Sequence, residues 1–119
     1  LNSTITALFV KENTPELTVM FITEPAGNRK VNIRVSYTAQ PALPFISMNF
    51  NFFLRDHASN YSEQYSPGSF TIPQNGYHSF SFTAKNNIYA PYVEVSTSMP
   101  KTYTDNSTGK TYQVTYLSK

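Results

Sequence analysis

Apolar and polar side chains alternate with a period of two along most of this chain, and no other feature constrains the fold as strongly. The clearest alternation runs through Val31–Thr38, and the segments Ile46–Leu54 and Tyr92–Ser96 repeat it. Because successive side chains of a β-strand point to opposite faces, each segment predicts a strand with one buried face and one solvated face. No stretch shows a sustained helical period, and at most one helical turn fits near residues 55–63.

Shorter apolar stretches separated by turn residues complete the pattern. The five further predicted strands are Thr4–Val10, Leu17–Thr23, Phe70–Ile72, Tyr77–Thr83 and Thr111–Leu117. Segments rich in Gly, Pro and Asn lie between them, at residues 24–28, 41–44, 66–68, 73–76 and 105–109. Eight short strands at this spacing predict an all-β, immunoglobulin-like β-sandwich of two antiparallel sheets. A length of 119 residues fits one domain, 1–119, and the start at Leu1 rather than Met suggests a module excised from a larger chain.

Several classes of function are disfavoured by composition. The chain has no cysteine, so a disulfide framework or a cysteine zinc site is excluded, and a reducing compartment is mildly favoured. The nine basic residues are scattered and the net charge is +2, which argues against nucleic-acid binding. No apolar run reaches the roughly 20 residues that a membrane-spanning helix needs, so no membrane insertion is expected.

Catalytic and cofactor motifs are not recognisable in the sequence. His57 and His78 belong to no metal-ligand spacing, and the seven carboxylates are spread over strand ends and turns. Four glycines in the whole chain make a phosphate-binding loop implausible. We therefore expect no enzyme activity, no metal and no cofactor.

One outward position in the strongest strands is unusual. Alternation along Ile46–Arg55 places Phe53 and Arg55 on the polar face, and Tyr92 and Glu94 face outward on their own strand. An exposed aromatic ring beside an arginine is typical of a protein-binding hot spot. The alternative is that a loop or residues 61–65 cover the ring of Phe53.

The order of these features resembles the gamma-adaptin ear (GAE) domain family. That family forms the C-terminal appendage of the gamma subunit of the clathrin adaptor complex and of the Golgi-localised, gamma-ear-containing, Arf-binding adaptors. Lys11–Phe21 is similar to the family's K-N-x-L-x-I-x-F segment with a small insertion, Pro44–Phe50 matches its aromatic-centred strand, and Ser66–Pro73 looks like its Pro-Ser-Gly loop and following strand. The resemblance covers nearly the whole chain, and order and length carry it.

The resemblance implies a binding function and a location. A family member would be a cytoplasmic module, peripheral on trans-Golgi and endosomal membranes through its parent protein and monomeric when isolated. It would bind short peptide motifs of accessory trafficking proteins, of the form bulky hydrophobic, Gly, acidic or Pro, hydrophobic. The peptide-binding residues implied here are Phe53, Leu54, Arg55, Tyr65, Ala90, Tyr92 and Glu94.

Two departures from the family pattern affect the predicted ligand. Phe53-Leu54-Arg55-Asp56 stands where the family usually has Ala-Val-Pro-Lys, and the family's two pocket arginines fall on Ala90 and Tyr92. The predicted pocket is therefore less basic than in the family, which leaves the ligand motif open.

Two other functions remain open on the sequence. An extracellular or cell-surface β-sandwich that binds carbohydrate or protein would account for the many tyrosines and the Ser, Thr and Asn content. Its three glycosylation sequons, at Asn2, Asn60 and Asn106, are no more than this composition produces by chance. A small β-fold enzyme or inhibitor is the other alternative, and a cleft with converging carboxylates would favour it.

Overall fold

The computed structural model of the protein describes residues 14–119, which form eight strands and no helix. The strands are β1 (Glu16–Pro25), β2 (Lys30–Gln40), β3 (Phe45–Asp56), β4 (Ser62–Pro73), β5 (His78–Thr83), β6 (Pro91–Val95), β7 (Thr102–Thr104) and β8 (Thr111–Ser118). The predicted strand Thr4–Val10 lies outside the described residues.

These strands form two sheets. One has five strands in the order β5-β2-β1-β8-β7, and the other has three in the order β4-β3-β6. The prediction of an all-β chain with eight strands in two sheets, a β-sandwich, is confirmed. A departure from fully antiparallel sheets occurs at β1 and β8, which run parallel from Glu16 opposite Gln113 to Phe21 opposite Ser118.

The core lies between the sheets and follows the alternation seen in the sequence. Along β2 the residues at odd positions from Val31 to Tyr37 are buried and those between them are half-buried. Across the sandwich, the ring of Phe21 on β1 lies 5.6 Å from that of Phe50 and 5.7 Å from that of Phe52, both on β3. Full burial of one such side chain stabilises the fold by about 1.5–3 kcal/mol.

Strand β4 differs from its prediction. Residues 66–68 were expected to form a turn before a short strand, but they lie inside a twelve-residue strand. The register with β3 shifts between Phe50 and Phe52, and Gly68 has a φ of +93° beside this shift. The glycine therefore accommodates a β-bulge instead of ending the strand, because it adopts positive φ without a clash at Cβ.

The segment after β3 also differs from its prediction. At most one helical turn was compatible with residues 55–63, and the structure has no helix there, because β3 continues to Asp56 and β4 begins at Ser62. A turn of residues 57–61 joins the two strands, and the backbone N–H of Asp56 donates to the carbonyl of Tyr61 at 3.2 Å. Strand β7 was not predicted, since its three residues are too few to show a period.

Candidate binding site on the three-stranded sheet

The candidate site lies on the solvent-facing side of the three-stranded sheet. Phe52 and Leu54 are fully buried, whereas Phe53 is half-buried on the opposite face. Phe53 is flanked by Gln64 of β4 and Glu94 of β6. Residues 62–65 thus belong to β4 and pair with β3. On the outer face, the polar side chain of Gln64 lies next to the ring of Phe53.

Arg55 shares this face with Phe53 and is held by groups on all three strands. Its Nε lies 2.6 Å from Oε2 of Glu94, but the Nε–H does not point at that oxygen, so the contact is an ion pair without a hydrogen bond. Its Nη1 donates to Oγ of Ser62 at 3.1 Å, and its guanidinium carbon lies 5.0 Å from the centre of the Phe53 ring. Both charged side chains remain partly exposed, so the ion pair contributes about 0.2–1 kcal/mol.

Tyr92 extends this surface toward the end of the sheet. It lies opposite Arg55 in the register of β3 and β6, and its ring stacks on that of His57 with centroids 4.0 Å apart. The two rings border a polar pocket of about 310 Å³ that Asn60 and Tyr61 also line. We call Phe53, Arg55, Tyr92 and Glu94 the outer patch.

A buried carboxylate supports the outer patch from behind. Asp56 accepts hydrogen bonds from the backbone N–H of Ala90 at 2.7 Å and of Tyr89 at 3.2 Å. It also accepts from the N–H of Ala58 and the hydroxyl of Ser59. Burial by itself raises the pKa of Asp56, but the four hydrogen bonds to its charged form outweigh it and hold the pKa below the ordinary value. Asp56 thereby ties the β3–β4 turn to the segment that leads into β6.

The other predicted site residues do not join the outer patch. Leu54 is fully buried in the core, and Tyr65 faces the same interior, with its ring 4.3 Å from that of Phe82. Ala90 contributes backbone groups, since its N–H donates to Asp56 and its carbonyl accepts from His57. Strand alternation thus separates Leu54 and Tyr65 from Phe53, so a ligand on the outer patch does not reach their side chains.

Sequence reasoning missed three residues around the patch: Asp56, His57 and Tyr89. A signal for Asp56 was present, because it occupies the inward position that follows Phe52 and Leu54, where an ionised group needs hydrogen-bond partners. The ring of Tyr89 is 72% exposed beside the Asp56 hydrogen bonds, and it lies in a loop without a pattern. No periodicity could have indicated its position.

The chemistry of the site is set by side chains that can contact a ligand. Within residues 14–119 no group of three or more His, Asp or Glu side chains could hold a metal ion. No helix in the same range is long and apolar enough to cross a membrane. The outer patch presents aromatic rings and an ion pair, which suit contacts with a ligand.

Comparison with known proteins gives no relative: no family model, no curated protein and no solved structure matches this chain.

Proposed function

We propose that this chain is a protein-interaction module that binds short hydrophobic peptide motifs of accessory proteins in clathrin-adaptor trafficking. It acts as an immunoglobulin-like ear domain of a larger adaptor, in the cytoplasm at trans-Golgi and endosomal membranes, without catalysis or a cofactor. The resemblance to the gamma-adaptin ear motivates this proposal. The observation that carries it is the partly exposed ring of Phe53 with the guanidinium of Arg55 over it.

The surroundings of Phe53 favour a hot spot for a hydrophobic side chain. Its neighbours on the same face, Asn51, Gln64 and Glu94, are all polar. A ring enclosed by polar side chains is the usual arrangement of an interface centre, where the surrounding groups exclude water from the central contact. A bulky hydrophobic residue of the peptide packs on this ring, and backbone pairing along a strand edge adds affinity.

Arg55 provides a partner for an acidic residue of the peptide. Ala90 and Tyr92 stand where the family has basic pocket residues, so Arg55 is the basic group of the outer patch. It is paired with Glu94, whose side chain is 49% exposed. A peptide carboxylate replaces Glu94 as the partner of Arg55, at a small cost because exposed ion pairs are weak.

Calorimetry tests this function directly. A synthetic peptide of the form bulky hydrophobic, Gly, acidic, hydrophobic is titrated into the full chain and into Phe53→Ala. We expect at least about fivefold weaker binding, which corresponds to about 1 kcal/mol. Asn49→Ala is the control, because Asn49 is an exposed residue on the same face of β3. Equal affinities of the two variants for the peptide would remove Phe53 as the site.

A second function, carbohydrate binding by a cell-surface sandwich, draws on a separate observation. The stacked rings of Tyr92 and His57 and the exposed ring of Tyr89 offer flat apolar faces of the kind on which sugars stack. The sequon residues Asn60 and Asn106 are both exposed. Glycans on these asparagines in native protein, and sugar binding that Tyr92→Ala abolishes while Phe53→Ala retains it, would select this function.

A further inference from the structure

Strand β6 ends its sheet, and within residues 14–119 it pairs with β3 alone. The backbone N–H of His57 donates to the carbonyl of Ala90, and that of Ser96 donates to the carbonyl of Asn51. Because paired residues alternate in an antiparallel ladder, Tyr92 and Glu94 direct their backbone groups at β3. The N–H and C=O groups of Val93 and Val95 therefore face the other way, along the outer edge of β6.

This edge borders a groove in the sandwich. The two sheets differ in width, and β8 of the five-stranded sheet extends past β6. Leu17 and Val19 on β1 are fully buried, yet Val114 and Tyr116, beside them on the same face of β8, are only half-buried. The groove has a volume of about 490 Å³, and its lining includes Val95, Met99, Gln113, Val114 and Tyr116. One more strand beside β6 would cover the exposed part of β8.

The edge is protected at its start, where Pro91 has no N–H to donate, but not along the rest of the strand. Natural sheets guard an open edge with lysines, inward charges or bulges. Strand β6 has Pro91 at its start, followed by Val93 with no exposure and half-buried Val95. An apolar edge of this kind is stable in water when another strand covers it.

The first described residues, Thr14 and Pro15, lie beside β8, which forms one side of the groove. The carbonyl of Pro15 accepts a hydrogen bond of 2.8 Å from the N–H of Gln113, which lines the groove. Residues 4–10, with the sequence Thr-Ile-Thr-Ala-Leu-Phe-Val, are the one predicted strand outside the described residues. Three residues lie between Val10 and Thr14, and a chain of this length spans up to about 13 Å, so residues 4–10 can reach the groove at high effective concentration.

From these observations we propose that residues 4–10 of the same chain add a fourth strand to the free edge of β6. Their backbone groups pair with those of Val93 and Val95, and their apolar side chains cover Val114 and Tyr116. This docking surface is separate from the outer patch, and the proposal does not depend on peptide binding there.

Hydrogen exchange on the full-length chain tests the pairing. Leu8→Asp with Phe9→Asp places a charge on either face of the segment, whichever one docks. Asn2→Asp with Ser3→Asp adds the same charge outside it and is the matched control. We expect the amides of Val93 and Val95 to exchange at least about tenfold faster in the first variant only, with Ile33 unchanged in both. Equal exchange of the Val93 and Val95 amides in the two variants would overturn the proposal.

A spin label distinguishes pairing within the chain from pairing between copies. Because the chain has no cysteine, Leu8→Cys provides a single attachment site for a nitroxide. We expect the label to broaden the amide signals of Val93, Val95 and Val114, and to leave those of Ser79 and Ser81 on β5 sharp. Broadening that appears only when labelled protein is mixed with unlabelled, isotope-enriched protein would assign the edge to a second copy and overturn the proposal. Sharp signals throughout β6 and β8 would overturn it as well.

Discussion

The guanidinium of Arg55 lies 5.0 Å from the centre of the Phe53 ring, two residues earlier on the same strand. A strand places residues i and i+2 on the same face, so the contact follows from local geometry once β3 has formed. The cation covers part of a ring that would otherwise lie open to water. The outer patch is therefore a shaped surface before any ligand arrives.

Releasing Arg55 from Glu94 is expected to favour acidic peptides. Glu94→Gln removes the ion pair and should raise the affinity for a peptide with a central acidic residue by about two- to fivefold, the range expected for an exposed pair. Titration calorimetry measures the change in affinity. Glu24→Gln is the control, since Glu24 pairs with Arg34 at 2.8 Å on the other sheet with similar exposure. The gain should shrink at high salt, and an unchanged affinity would separate Arg55 from peptide recognition.

Replacing Asp56 is expected to change the pH dependence of stability. The folded-state pKa of Asp56 is lowered, so its contribution is fully present above the unfolded-state pKa of about 4 and is lost as pH falls through the folded value. Asp56→Asn should lower the melting temperature at pH 7, because the amide nitrogen of asparagine cannot accept the hydrogen bonds that one carboxylate oxygen of Asp56 accepts. The gap in melting temperature from wild type should narrow as the pH falls below about 4, toward the lowered folded-state pKa. A gap that stays constant over this range would show that the charge of Asp56 does not matter.

Alanine substitutions at the adjacent residues Leu54 and Phe53 of β3 should differ in their effect on stability. Leu54→Ala removes a fully buried side chain and should lower the free energy of unfolding by about 2–5 kcal/mol. Phe53→Ala should lower it by less than about 2 kcal/mol, because the ring is only partly buried, and should mainly weaken binding. Urea denaturation of both variants measures the difference. Similar losses of stability would contradict the assignment of the two side chains to opposite faces.

The bulge in β4 should depend on its glycine. Gly68 has a φ of +93° with nothing within 4 Å of the position that a Cβ would take, so the cost of a side chain lies in the backbone. We expect Gly68→Ala to lower the free energy of unfolding by about 1–3 kcal/mol. Ser69→Ala at the next, exposed position is the control and should change it by less than about 0.5 kcal/mol. Equal denaturation midpoints for the Gly68→Ala and Ser69→Ala variants would exclude the explanation from backbone strain.

Local alternation was sufficient to predict the strands β2 and β3 and the direction of the Phe53 side chain. The period of two in β2 and β3 depends on burial of one face, which residues 30–56 encode by themselves. The continuous strand β4 could not be predicted, because Ser62–Ser69 is largely polar and is held by its pairing with β3. The parallel pairing of β1 with β8 likewise joins segments almost a hundred residues apart and leaves no local pattern.

The hydrogen bonds of Asp56 behind the outer patch also could not be predicted from the sequence, because they join segments that are distant along the chain. An inward carboxylate at Asp56 predicts hydrogen-bond partners but does not identify them. Those partners include the backbone of Ala90, 34 positions later, which any residue except proline could supply. Peptide N–H groups carry no residue-type signal, so coordinates were needed to find them.

The hydrogen bonds of Asp56 limit the conformational freedom of the two loops beside the outer patch. Each of its two oxygens accepts one hydrogen bond from the β3–β4 connection and one from the segment that leads into β6, so the carboxylate links the two loops. A peptide that binds as proposed would meet two loops that are already linked, so little ordering entropy would be lost on complex formation. The backbones of the free and the bound domain should therefore superimpose closely.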